Sequence, residues 1–115
     1  MLCNRIIVIL MICMGIDYLT GMIRATVFKK NKYGGKSALE SRAGFKGILK
    51  KVVMLAICCI AAFFDLLLGT HVIYYTVTIG FIVNETISII ENAGIMGIPI
   101  PEKLAAAIRV LKDKQ

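Results

Sequence analysis

The chain has 115 residues, 58% of them hydrophobic, with a mean hydropathy of +0.81 and a formal net charge of +7. A soluble domain this small has too little core to hide that much apolar surface. The basic excess comes with no aromatic platform or groove-reading motif, which argues against a nucleic-acid partner.

The first apolar block, 6–23, is about as long as a bilayer crossing requires. Arg5 precedes it as in a secretory signal, but Asp17, Tyr18 and Arg24 stand where a small-x-small cleavage site is needed. Met11-Ile12-Cys13 is too bulky for a lipoprotein processing site, so the block reads as a retained span. Asp17, Thr20, Gly21 and Arg24 fall at i, i+3, i+4 and i+7 and form one polar-and-small helix face.

Residues 24–51 hold nine basic side chains opposed by Glu40 alone, a local charge of +8. The positive-inside rule puts such a loop in the cytoplasm, facing anionic lipid. Tyr33-Gly34-Gly35 is a turn signal, and Ser37 with Glu40 reads as a capping box. Arg42, Lys46 and Lys50 then recur every four residues, while Phe45, Ile48 and Leu49 supply an apolar side. The pattern predicts a cytoplasmic interfacial helix running into the second span, with Arg42, Lys46, Lys50 and Lys51 at the membrane surface. Gly44 and Gly47 suit a bend or the close approach of another helix.

The second block, 52–68, returns outward, with Asp65 at its outer end and within reach of the headgroups. Gly69-Thr70-His71 makes a very short outer turn before the third block, 72–90. On that block and just beyond it, Asn84, Glu85, Ser88, Glu91 and Asn92 share a stripe roughly 120° wide. An ionised carboxylate at the bilayer centre costs about 2.5–3.5 kcal/mol, so Asp17 and Glu85 need a partner, water or a proton. Two readings follow. The acids glue the bundle, through Arg24, Asn84 or protonated side chains, or their faces meet water in an assembled pore. Three helices fill their own centre with side chains, so a pore needs many copies of the chain.

In the tail, 91–115, Gly94, Gly97, Pro99 and Pro101 break the helix. Pro101 suits the first turn of a new one, with Glu102 favourable to its dipole. Leu104, Ile108 and Leu111 line one side of this short C-terminal amphipathic helix, for the inner membrane surface or a neighbouring helix. The fold expected is thus an all-α integral membrane protein forming a single domain over 1–115. Cys13, Cys58 and Cys59 lie within apolar blocks, Cys3 stands alone, and all four read as small apolar fillers. No nucleophile triad, phosphate loop or metal-ligand spacing is present, so no enzyme activity, cofactor or metal is expected.

Four stretches carry a family resemblance: Asp17-Tyr18-Leu19-Thr20-Gly21, Ser41-Arg42-Ala43-Gly44-Phe45-Lys46-Gly47, Asn84-Glu85-Thr86-Ile87-Ser88-Ile89-Ile90-Glu91-Asn92 and Gly97-Ile98-Pro99-Ile100-Pro101. Over nearly its whole length the chain resembles the phage holin family that also includes toxin-secretion holins. The resemblance implies homo-oligomers in the bacterial cytoplasmic membrane that open lesions at a set moment. An endolysin, or a toxin, then crosses without direct contact being required. It assigns no pore-lining residues. The competing classes are a small ion or proton channel and an accessory bundle that never opens.

With the +8 loop inside, the N-terminus lies outside and the C-terminus in the cytoplasm. In a cysteine-free background, Lys32→Cys should resist a membrane-impermeant thiol reagent in intact cells, and Thr70→Cys should react. The opposite labelling would refute the three-span, N-outside arrangement.

Overall fold

The computed structural model describes residues 2–26 and 40–113, which form four helices: α1 (Leu2–Thr26), α2 (Glu40–Leu68), α3 (Val72–Ile95) and α4 (Glu102–Asp113). Three stretches are long and apolar enough to cross a membrane: Asn4–Ala25, Gly44–Leu68 and Val72–Ile95. At 1.5 Å per residue they measure about 33–38 Å, against a hydrocarbon core of roughly 30 Å. The spans outrun the apolar blocks because each helix continues through polar residues that find partners inside the bundle. The interfacial segment is likewise no separate element, since α2 runs unbroken for 29 residues. The Tyr33-Gly34-Gly35 turn, Ser37 and the side chain of Arg42 lie outside the described residues.

α1 and α3 run parallel and α2 antiparallel to both, with α3 packed along each neighbour and the α1–α2 contact the slightest. The inward positions follow alternating steps of three and four. They are Leu10, Met14, Asp17, Gly21 and Arg24 on α1, and Gly44, Gly47, Lys51, Met54, Cys58, Ala61 and Asp65 on α2. On α3 they are Tyr74, Thr78, Phe81, Glu85, Ser88 and Asn92. This is the seam spacing of helices that pack at shallow angles, knobs into holes. Leu10, Met14, Met54 and Cys58 form the buried apolar centre, with Val77, Phe81 and Ile82 packed around it. Cys58 fills space there as expected of a small apolar residue, and accepts a hydrogen bond from the Thr78 hydroxyl at 3.6 Å. Phe63, Phe64 and Leu66 to Leu68 point outward, where lipid is the natural solvent.

The α2–α3 corner overturns the expectation for Asp65. Its side chain does not reach outward but is 5% exposed. Its carboxylate accepts from the Thr70 hydroxyl at 2.6 Å and from the backbone amides of Ile73 at 3.1 Å and Tyr74 at 2.7 Å. Those amides begin α3 and have no partner within the helix. His71, at the cap position, offers no side-chain bond, so Asp65 caps α3 from the preceding helix. Gly69, at φ +70°, turns the chain, and the Thr70 amide bonds back to the Asp65 carbonyl at 2.9 Å.

At the other end of α3 the helix passes through Gly94, where a break was expected, and stops after Ile95. Gly97, at φ +90°, closes it with paired bonds, Ile98 amide to Ala93 carbonyl and Gly97 amide to Gly94 carbonyl. Pro101 stands just before α4 and its carbonyl accepts the Ala105 amide at 3.0 Å. α4 scarcely packs on the bundle. Its Arg109–Glu102 pair is well exposed and adds little stability.

Replacing Asp65 with Ala removes the acceptor for three donors. Asp65→Ala should destabilise the bundle by about 1–3 kcal/mol, read as a lower unfolding midpoint in detergent. Asp65→Asn should recover part of the loss.

Candidate functional site

Toward the end of the bundle where α1 finishes and α2 begins, the apolar centre gives way to a polar layer. Asp17 lies eight residues before the end of its span, Lys51 seven residues into its own, and Glu85 ten before the end of the third. At 1.5 Å per residue the layer sits about 10–15 Å inside the apolar zone. There an unpaired charge is strongly disfavoured.

The charges are paired. The Lys51 ammonium donates to Asp17 Oδ2 at 2.8 Å and to both Glu85 oxygens, Oε1 at 3.1 Å and Oε2 at 3.0 Å. Side-chain exposure is 17% for Lys51, 13% for Asp17 and 2% for Glu85, so bulk water contributes little. One ammonium on α2 thereby ties a carboxylate on α1 to one on α3. Ser88 lies beside Asp17 on the facing side of α3.

About two turns beyond Glu85, Asn92 joins α3 to α1. Its amide nitrogen donates to Thr20 Oγ1 at 3.0 Å and to Asp17 Oδ1 at 3.3 Å, and its oxygen accepts from Arg24 Nε at 3.1 Å. Gly21 makes room for it, since a Cβ there would lie 3.8 Å from the Asn92 amide nitrogen. The Thr20 hydroxyl donates back to the Asp17 carbonyl at 3.0 Å. Among the described residues, no buried side-chain nitrogen or oxygen lacks a partner, and no group of acids, histidines and cysteines could hold a metal. Asp17, Glu85, Lys51 and Arg24 together are formally neutral.

The two polar faces read from the sequence therefore meet: Asp17, Thr20, Gly21 and Arg24 from α1 against Glu85, Ser88 and Asn92 from α3. Asn84 and Glu91 are half-buried at the edges of the α3 stripe. Of the four basic residues expected at the membrane surface, Lys46 and Lys50 are exposed. Lys51 is a correction: it turns inward and is the counter-ion that the acids required. Arg24, one of the partners considered for them, donates to Asn92. A signal for Lys51 was present. It lies seven residues after Gly44 and seven before Cys58, and so on the seam. Gly44 itself meets α1, where an added Cβ would lie 3.6 Å from the Tyr18 hydroxyl and 3.8 Å from Met22 Sδ.

The arrangement is a joint between helices. It holds three helices in register through directional bonds, where lipid supplies no hydrophobic drive between helices. Removing one member of such a buried ion pair costs about 3–5 kcal/mol, because the remaining charge is left without a partner.

The profile of the bacteriophage holin family matches residues 2–113. An uncharacterized 14.9 kDa protein of the nagH 3′ region in Clostridium perfringens is 36% identical over 111 residues, covering 95% of this chain and 78% of the relative. An uncharacterized protein of Halalkalibacterium halodurans is 36% identical over 113 residues, covering 93% and 78%. One of Listeria monocytogenes is 38% identical over 99 residues, covering 85% and 65%. No solved structure matches.

Asn92 bridges Asp17, Thr20 and Arg24, so Asn92→Leu strands polar groups on α1. The expected loss is about 1–3 kcal/mol, measured as a lower midpoint in detergent-induced unfolding, with Asn92→Gln intermediate. A leucine variant as stable as the parent would show that these bonds do not hold α1 to α3.

Proposed function

Because this chain belongs to the bacteriophage holin family, we propose that this multi-pass membrane protein is a holin that assembles in the bacterial cytoplasmic membrane and opens lesions. Its N-terminus lies outside and its C-terminus in the cytoplasm, with Lys46 and Lys50 at a surface of anionic lipid. Asp17, Thr20, Gly21, Asn84, Glu85, Ser88, Glu91 and Asn92 are the faces that meet water once copies associate. An endolysin, or a secreted toxin, then leaves through the lesion without binding the holin. The chemistry asked of the chain is association and opening alone.

What supports this reading is the polar layer itself. All three spans contribute to it, well inside the membrane, while their outer faces are apolar. Within one copy the layer is closed and satisfied, so a single bundle offers no path for water. An assembly that turns these faces toward one another has a hydrophilic lining ready-made and an apolar exterior.

Association depends on concentration, so harm should appear as a threshold and not a slope. Induced alone in a bacterium, the protein should leave growth normal for a time and then abruptly abolish membrane potential and viability. Co-expression with a cytoplasmic endolysin lacking a signal peptide should turn that collapse into rapid loss of turbidity. Depolarisation with the endolysin retained would point to a small-ion channel. Gradual toxicity, with no release at any expression level, would refute the holin reading.

A further inference from the structure

We propose that Lys51 is the latch of the closed bundle, and that its withdrawal from Asp17 and Glu85 lets the inner half of α2 part from the α1–α3 pair and admits water to the polar layer. The inference rests on the holin reading only for its consequence in the cell; the latch itself is a property of one copy.

The geometry separates what is held firmly from what is held by one group. α1 and α3 share the most extensive contact, and Asn92 stitches them through Asp17, Thr20 and Arg24. α2 and α3 are joined at the far end by the Asp65 corner, where a carboxylate, two backbone amides and a positive-φ glycine form a tight local structure. At the near end α2 presents Gly44 and Gly47, which have no side chains to interlock, and Gly47 would meet nothing within 4 Å even with a Cβ. Among the described residues, the stretch of α2 from Met54 back to the start of the span bonds into the polar layer through the Lys51 ammonium, to Asp17 and Glu85.

That contact is also two-valued. With the ammonium in place, two carboxylates at one depth are bridged and dry. Without it the two carboxylates lose their shared counter-ion in a low-dielectric surrounding, and any charge they keep repels and demands water. The same residues that seal the closed bundle therefore favour hydration once the latch leaves. A wholly apolar layer would seal without this property, and a lysine facing a single acid would leave one carboxylate behind with no second to repel it.

The test uses the full chain in a cysteine-free background carrying Ser88→Cys, whose thiol reports on the polar layer. Inverted membrane vesicles are labelled with a small charged maleimide, and killing onset is followed in parallel at matched membrane protein levels. Lys51→Met should raise the labelling rate about tenfold and bring killing forward. Lys51→Glu should do the same, and the exchange Lys51→Glu with Glu85→Lys, which restores one ammonium between two carboxylates, should return both readouts toward the parent. Lys103→Met, which removes a positive charge from the exposed α4, should change neither. If Lys51→Met does not accumulate in the membrane, the single and exchanged charge variants decide the question. Unchanged labelling in the Lys51 variants, or an exchange variant no closer to the parent than Lys51→Glu, overturns the latch. A parent that never releases endolysin, yet shows this labelling pattern, overturns the holin reading and leaves the latch standing.

Discussion

A carboxylate in hydrocarbon needs a counter-ion, water or a proton, and the fold of this chain turns on how that demand is met for Asp17 and Glu85. Neither finds its counter-ion on its own helix. Each is served by the Lys51 ammonium, carried in on α2, so satisfying the charges requires that three helices pack in one register. In water the apolar centre around Leu10, Met14, Met54 and Cys58 would drive such packing. In lipid the surroundings are as apolar as leucine, and directional bonds together with close contact have to specify it. A slip of one residue on any helix would move a charge off the seam and toward the acyl chains.

The two ends of the bundle are built on different principles. At the α2–α3 corner every bond links residues at most nine positions apart, and all four bonds to Asp65 come from the turn or the first turn of α3. Such structure forms locally and is lost only if the helix end itself frays. At the opposite end the bonds between helices join residues 34 to 75 positions apart and are made by side chains. They can be exchanged for water without unwinding any helix. A device that must insert as a closed unit and later expose a polar lining is served by this division, one end fixed by backbone geometry and the other by replaceable contacts.

Most of the architecture was legible in the sequence because bilayer thickness imposes a length on apolar runs. The three spans, the inward polar faces of α1 and α3 and the amphipathic C-terminal helix were read from spacing alone. What was misread depended on direction and not on type. Lys51 follows Lys46 and Lys50 in a basic run, and composition assigns all three to the surface. Only the steps of three and four from Gly44 through Lys51, Met54, Cys58 and Ala61 to Asp65 reveal that it points inward. Asp65 was misread for the same reason. Its position near the membrane edge suggested headgroups, but the seam carries it back over the turn, where the free amides of α3 form a stronger site for a carboxylate than the interface does.

Buried polar layers in a helical seam are often explained as devices that fix register. Register alone does not account for this composition. One hydrogen-bonded amide, as Asn92 already provides, is enough to penalise a shifted alignment. The second acid is what goes beyond that requirement, because it leaves the triad of Asp17, Lys51 and Glu85 with one negative charge in excess, while Arg24 reaches the layer through Asn92. A layer selected only for permanent closure would balance its charges within the contact. A layer that is to be sealed in one copy and wet in an assembly benefits from carboxylates that become hydrophilic when one cation moves away. The composition at Asp17, Lys51 and Glu85 is thus better explained by two required states than by one.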